Sequence, residues 1–79
     1  MKIRTFSSPE TAARVLAELH TRADEFGTVE ASSLDLAEAL DIGQATAYRA
    51  LARLEDEGRL RILRKGTSGG YPTRWKIEA

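Results

Sequence analysis

SLDLAEALDIGQATAYRALARLEDEG, residues Ser33 to Gly58, holds two short apolar stripes separated by a turn. Leu36, Ala37 and Leu40 recur at helical spacing, and so do Ala47, Ala50, Leu51 and Leu54. With about 100° of rotation per residue and Gln44 at zero, Thr46, Ala47, Ala50, Leu51 and Leu54 fall between roughly 200° and 340°. Gln44, Ala45, Tyr48, Arg49 and Ala52 fall between roughly 0° and 140°. The second helix therefore has one face for a core and another to present. Asp41-Ile42-Gly43 supplies the turn, because Asp tolerates left-handed backbone and Gly serves as an N-cap. The spacing predicts helix 2 over 33–40, capped by Ser32 or Ser33, and helix 3 over 44–57, with Gly58 as the left-handed residue after it.

Beyond Gly58 the period changes from helical to alternating. Arg59 to Lys65 begins with strict alternation, Tyr71 to Ile77 ends with it, and GTSGG separates them. This predicts a β-hairpin over 59–77, with Leu60, Ile62, Trp75 and Ile77 turned to the helices and Arg61, Arg74 and Lys76 turned out. Upstream, Ser8-Pro9-Glu10 combines a hydroxyl cap, a first-turn proline and an early carboxylate, the pattern of a helix start. Helix 1 is expected over 9–26, with a stripe of Ala12, Val15, Leu16, Leu19, Ala23 and Phe26 and with Gly27 ending it. Val29 sits in a short stretch suited to a one-bridge strand before helix 2. The alternation of Lys2 to Phe6 fits an edge strand, a basic arm or a frayed end over residues 1–8.

Composition narrows the function. Seventy-nine residues make one domain, burying about 60% of the unfolded surface, so function sits on the exterior. With no cysteine, a disulfide framework, a thiolate metal cluster and a thiol nucleophile are excluded. His20 is the one histidine and has no partner ligand in the pattern, so a surface role and no metal are expected. No nucleophile with a base and no phosphate loop can be drawn, since GTSGG lacks the lysine and the strand-to-helix context. An enzyme, a cofactor and a small-molecule ligand are therefore not expected. No apolar run is long enough for a signal sequence or a membrane span, so a soluble cytoplasmic chain, nucleoid-associated if prokaryotic, is the expectation.

Net charge is zero, but its distribution is uneven. Residues 1–42 hold four Lys/Arg against eight Asp/Glu, and residues 43–79 hold eight against four. From Arg59 to Lys76 there are six basic residues and no acidic one, which marks that end as the side to meet a polyanion. Glu18, Asp24, Glu25 and Glu30 are expected to solvate the helix 1 face, directed away from it.

LAEAL, DIG and QATAYRALARLEDEG together resemble the helix-turn-helix of bacterial, phage and archaeal transcription regulators. The following run ARLEDEGRLRIL, then WKI, is similar to the segment from helix 3 to the wing in winged-helix DNA-binding domains. The resemblance spans Pro9 to Ile77 and implies an α+β winged helix-turn-helix: three helices with a C-terminal two-stranded β-hairpin wing. It departs from the pattern at Asp41, where many members carry glycine, and at Gly43, where many carry a Ser or Thr cap.

The resemblance implies sequence-specific binding of double-stranded DNA, with helix 3 in the major groove and the wing on the phosphate backbone. Gln44 would then pair with adenine, Arg49 with guanine, Ala45 would touch a thymine methyl, and Tyr48 would reach phosphate or sugar. Thr46 is open between a phosphate contact and packing. Ser33 and Arg53 complete the helical candidates, although Arg53 can also pair with Asp56 or Glu57. Arg64, Lys65, Thr67, Ser68 and Arg74 supply the wing's charge and hydroxyls. Glu55 and Asp56 lie on the presented face and predict docking by the first turns of helix 3. A small transcriptional regulator acting as a homodimer or as tandem copies fits this best.

Two other readings compete. Pro72 followed by Trp75-Lys76-Ile77 is similar to the wing of winged helices that bind Z-form nucleic acid. In register with that family, helix 3 should offer Asn and then Tyr, where this chain has Tyr48 and Ala52. A winged helix used for protein contacts, as in subunits of assembly machines, is the alternative outside nucleic-acid binding.

Overall fold

The computed structural model describes residues 8–66 and 72–78. Helix α1 runs Pro9–Arg22, strand β1 Thr28–Glu30, helix α2 Ser33–Leu40, helix α3 Gln44–Asp56, strand β2 Leu60–Arg64 and strand β3 Arg74–Ile77. The α+β winged-helix expectation holds: three helices precede an antiparallel hairpin. The sheet is larger than a two-stranded wing, because β1 pairs with β3 over Thr28 to Glu30 and gives the order β1-β3-β2. The short stretch around Val29 is thus a full outer strand rather than a single bridge.

The caps follow the local chemistry. Ser8 accepts from the Thr11 N–H at 3.1 Å and Ser32 accepts from the Asp35 N–H at 3.0 Å, each satisfying a first-turn donor. Asp41 takes the left-handed conformation at φ 58° and ends α2, and the Ile42 N–H reaches back to the Ala37 carbonyl at 3.0 Å. The Arg14 guanidinium donates to the Leu40 carbonyl at 3.0 Å, so α1 also caps α2. After α3, Gly58 adopts φ 78°, and the Gly58 and Arg59 N–H groups bond the Glu55 and Leu54 carbonyls. That pairing is a Schellman termination, and α3 ends at Asp56 with Glu57 as its C-cap.

Helix 1 is shorter than its apolar stripe implied, and Phe26 is not core. Ala23 leaves the helix with extended geometry, and the Asp24 carboxylate accepts the Phe26 and Thr28 N–H groups, both at 2.9 Å. A side chain that bonds backbone groups locally competes with helix continuation. Phe26 then rides on this turn at 68% exposure, and Gly27 belongs to the turn rather than the helix end.

The core lies between the three helices and the inner face of the sheet. Val15, Leu19, Leu36, Leu54 and Leu60 are fully buried, each worth about 1.5–3 kcal/mol of apolar transfer. Ala47 and Ala50 are fully buried where α3 meets its neighbours, and their small side chains allow close helix approach. Leu60 pairs with Ile77 and Ile62 with Trp75, so the predicted inward set shares one sheet face. Trp75 is buried and its indole N–H donates to the Ala31 carbonyl at 3.1 Å, which identifies it as core. Among the described residues, no helix is long and apolar enough to cross a membrane.

Candidate nucleic-acid interface

Helix α3 presents its polar side outward as its periodicity requires. Gln44, Ala45, Tyr48 and Arg49 are exposed, Tyr48 at 66%, whereas Thr46 is half-buried. Gly43 makes no side-chain cap bond to the first turn of α3, and no acidic residue lies in that turn. Ser33 opens α2 next to it, half-buried, and its hydroxyl accepts from the Gln44 amide at 3.4 Å, a weak contact. The turn between α2 and α3 therefore brings Ser33 and Gln44 together at one edge.

On the other edge is the wing. A cleft of about 440 Å³ separates it from the helices, lined by Ser32, Ser33, Tyr48, Ala52, Glu55, Lys65, Pro72 and Trp75 among others. Ala31 also lines it, and Tyr48 of α3 and Lys65 beyond β2 both contribute to its lining. Ser33, Tyr48 and Lys65 thus line one cleft although they come from α2, α3 and the segment after β2. Glu55 lines the same cleft, so the acidic group anticipated on the presented face is there.

The remaining candidates divide. Arg53 is half-buried on the side of the α1 N-terminus, near Pro9, Ala12 and Ala13, and pairs with Glu57 at 2.9 Å. It lies apart from the cleft. Arg64 and Arg74 are on the outer face of the sheet, where both approach one Glu30 oxygen, at 3.3 Å and 3.9 Å. Thr67 and Ser68 lie outside the described residues. His20 is exposed, and among the described residues no group of three His, Cys, Asp or Glu side chains is placed to hold a metal.

The acidic residues are less uniform than the sequence suggested. Glu18 pairs with Arg22 at 2.8 Å, and Arg22 reaches on to Asp35 at 2.6 Å, tying α1 to the start of α2. These bonds, the Glu18 hydrogen bond foremost, raise the Arg22 pKa further. Asp24 holds the turn before β1, and the N–H bond from Thr28, aided by that from Phe26 and by Arg74 and Lys76, lowers its carboxyl pKa. Glu30 does not solvate helix 1 at all. It stands on β1 opposite Arg74, among the wing's cations. Its outward alternation in Thr28-Val29-Glu30 was visible, but its strand partner 44 positions on was not.

No protein-family profile matches the chain, and no curated protein sequence is significantly similar to it. Among solved structures, it resembles the Zalpha domain of cyprinid herpesvirus 3 ORF112, in a structure describing that domain's binding mode to Z-DNA. The TM-score is 0.65 at 24% identity, over 89% of this chain and 95% of that one. At that identity the likeness is one of fold, and the chain has the winged-helix architecture of that domain.

Proposed function

We propose that the protein binds double-stranded DNA through α3 and the wing, and acts as a small sequence-specific transcriptional regulator. The observation that carries this reading is the cleft lined in common by Ser33, Tyr48 and Lys65, which lies between α3 and the basic strand segment. A duplex docked by the first turns of α3 would meet Gln44, Ala45 and Arg49 at base edges and Lys65, Arg64 and Arg74 at phosphates. The first turn of α3 has no side-chain cap and no acidic residue, which suits a phosphate there. Reading enough base pairs for specificity calls for two copies, as a dimer or on tandem sites.

A second reading is recognition of left-handed duplex. The fold likeness to a Zalpha domain described with Z-DNA favours it, as does Pro72 preceding Trp75-Lys76-Ile77. Against it, Tyr48 and Ala52 stand where that family offers Asn and Tyr.

The test is binding to a mixed-sequence duplex and to an alternating methylated CG duplex, the latter followed by circular dichroism. Preference for the mixed duplex, with Arg49→Ala reducing selection of a preferred site, supports B-form reading. Inversion of the CG spectrum on binding would shift the account to left-handed DNA. Failure with both, by folded protein at about 50 mM salt and tens of micromolar, would contradict DNA binding and leave the protein-contact reading.

A further inference from the structure

The strand ladder places three charged side chains in one row across the sheet. Arg74 on β3 is opposite Glu30 on β1 and opposite Arg64 on β2. Directly opposed residues in antiparallel strands share a face, so all three project from the side away from the core. Continuing the register from Arg61 and Ile62 would have set Leu63 opposite Arg74. A bulge between Ile62 and Arg64 skips Leu63 and sets Arg64 there instead. Bulges commonly re-aim a side chain, and this one turns a cation and an apolar neighbour into two adjacent guanidinium groups. One Glu30 oxygen accepts from Arg64 at 3.3 Å and lies 3.9 Å from Arg74, with all three side chains about half exposed.

Two guanidinium groups converging on a single oxygen anion form the arrangement that also recognises phosphate. We propose that Arg64 and Arg74 form a backbone-phosphate site on the wing and that Glu30 occupies it in the free protein, limiting affinity for nucleic acid. The Glu30 carboxylate oxygen stands in for a phosphate oxygen. Binding exchanges one anion for another, so this site gives a smaller net gain than two unpaired arginines would. The duplex part of this inference rests on the DNA-binding reading, whereas the anion site does not.

Glu30→Gln removes the competing charge while keeping side-chain length. Duplex binding at about 50 mM salt should tighten about fivefold, the scale of one exposed ion pair plus relieved repulsion. Glu10→Gln, at the start of α1, removes the same formal charge elsewhere and should change binding less than about twofold. In an Arg64→Ala/Arg74→Ala background, Glu30→Gln should have almost no effect, because its action runs through those two side chains. An equal gain in both backgrounds, or none in either, would overturn the proposal.

Titration with inorganic phosphate, read at the arginine Nε–Hε resonances, separates this from the DNA reading. Arg64 and Arg74 in Glu30→Gln should respond at lower phosphate concentration than in wild type. If no duplex binds yet this response appears, the anion site stands and the DNA reading falls. If the resonances of Glu30→Gln do not move, the site itself is refuted.

Discussion

The indole N–H of Trp75 and the carbonyl of Ala31 meet at 3.1 Å across 44 positions of sequence, both in the buried interior. This bond fastens β3 to the segment joining β1 to α2, so the wing and the start of the helix-turn-helix are positioned together. Trp75→Phe keeps most of the apolar ring but leaves the Ala31 carbonyl without its donor. The expected loss is about 1–3 kcal/mol in urea unfolding followed by far-ultraviolet circular dichroism, with the m-value unchanged.

Asp24 gives the fold an acid limit. Its carboxyl pKa lies below the ordinary value of 3.8, because the charged form accepts the Thr28 and Phe26 N–H groups. Its stabilisation is therefore complete above the ordinary value and lost as pH falls through the lowered one. Asp24→Asn can still accept both bonds but carries no charge. The melting temperature of wild type should exceed that of Asp24→Asn at pH 7, and the gap should narrow as pH falls below the ordinary carboxyl value of 3.8.

Asp41 closes α2 with left-handed backbone at φ 58°, where a Cβ is disfavoured. Asp41→Gly should stabilise the domain by about 0.5–1 kcal/mol, since its backbone bonds are kept and the steric cost is removed. Asp41→Val should destabilise by more than that gain, because β-branching at positive φ is strained. Thermal melts of the three proteins check the order.

Much of this was readable because the signals are local. The stripes of α2 and α3, the left-handed Asp41 and Gly58, and the inward set Leu60, Ile62, Trp75 and Ile77 follow from period and backbone chemistry alone. The end of α1 was not, because Phe26 continues the apolar spacing while Asp24 captures the backbone and ends the helix first. Nor was the row of Glu30, Arg74 and Arg64. It depends on a register between distant strands and on a one-residue bulge at Leu63, neither of which alternation reveals. Among the candidate site residues, spacing found the exposed face of α3. It could not tell that Arg53 lies towards α1 while Lys65 lines the same cleft as Tyr48.

The salt dependence of duplex binding reports whether a duplex is seated on α3 and the wing. Five or six phosphate contacts by α3 and the wing predict a slope of about −4.5 to −5.4 for log K against log salt. An Arg64/Lys65 double alanine variant should flatten that slope by about one to two units. A slope near zero, or one that the double variant leaves unchanged while remaining folded, would contradict a duplex seated on α3 and the wing.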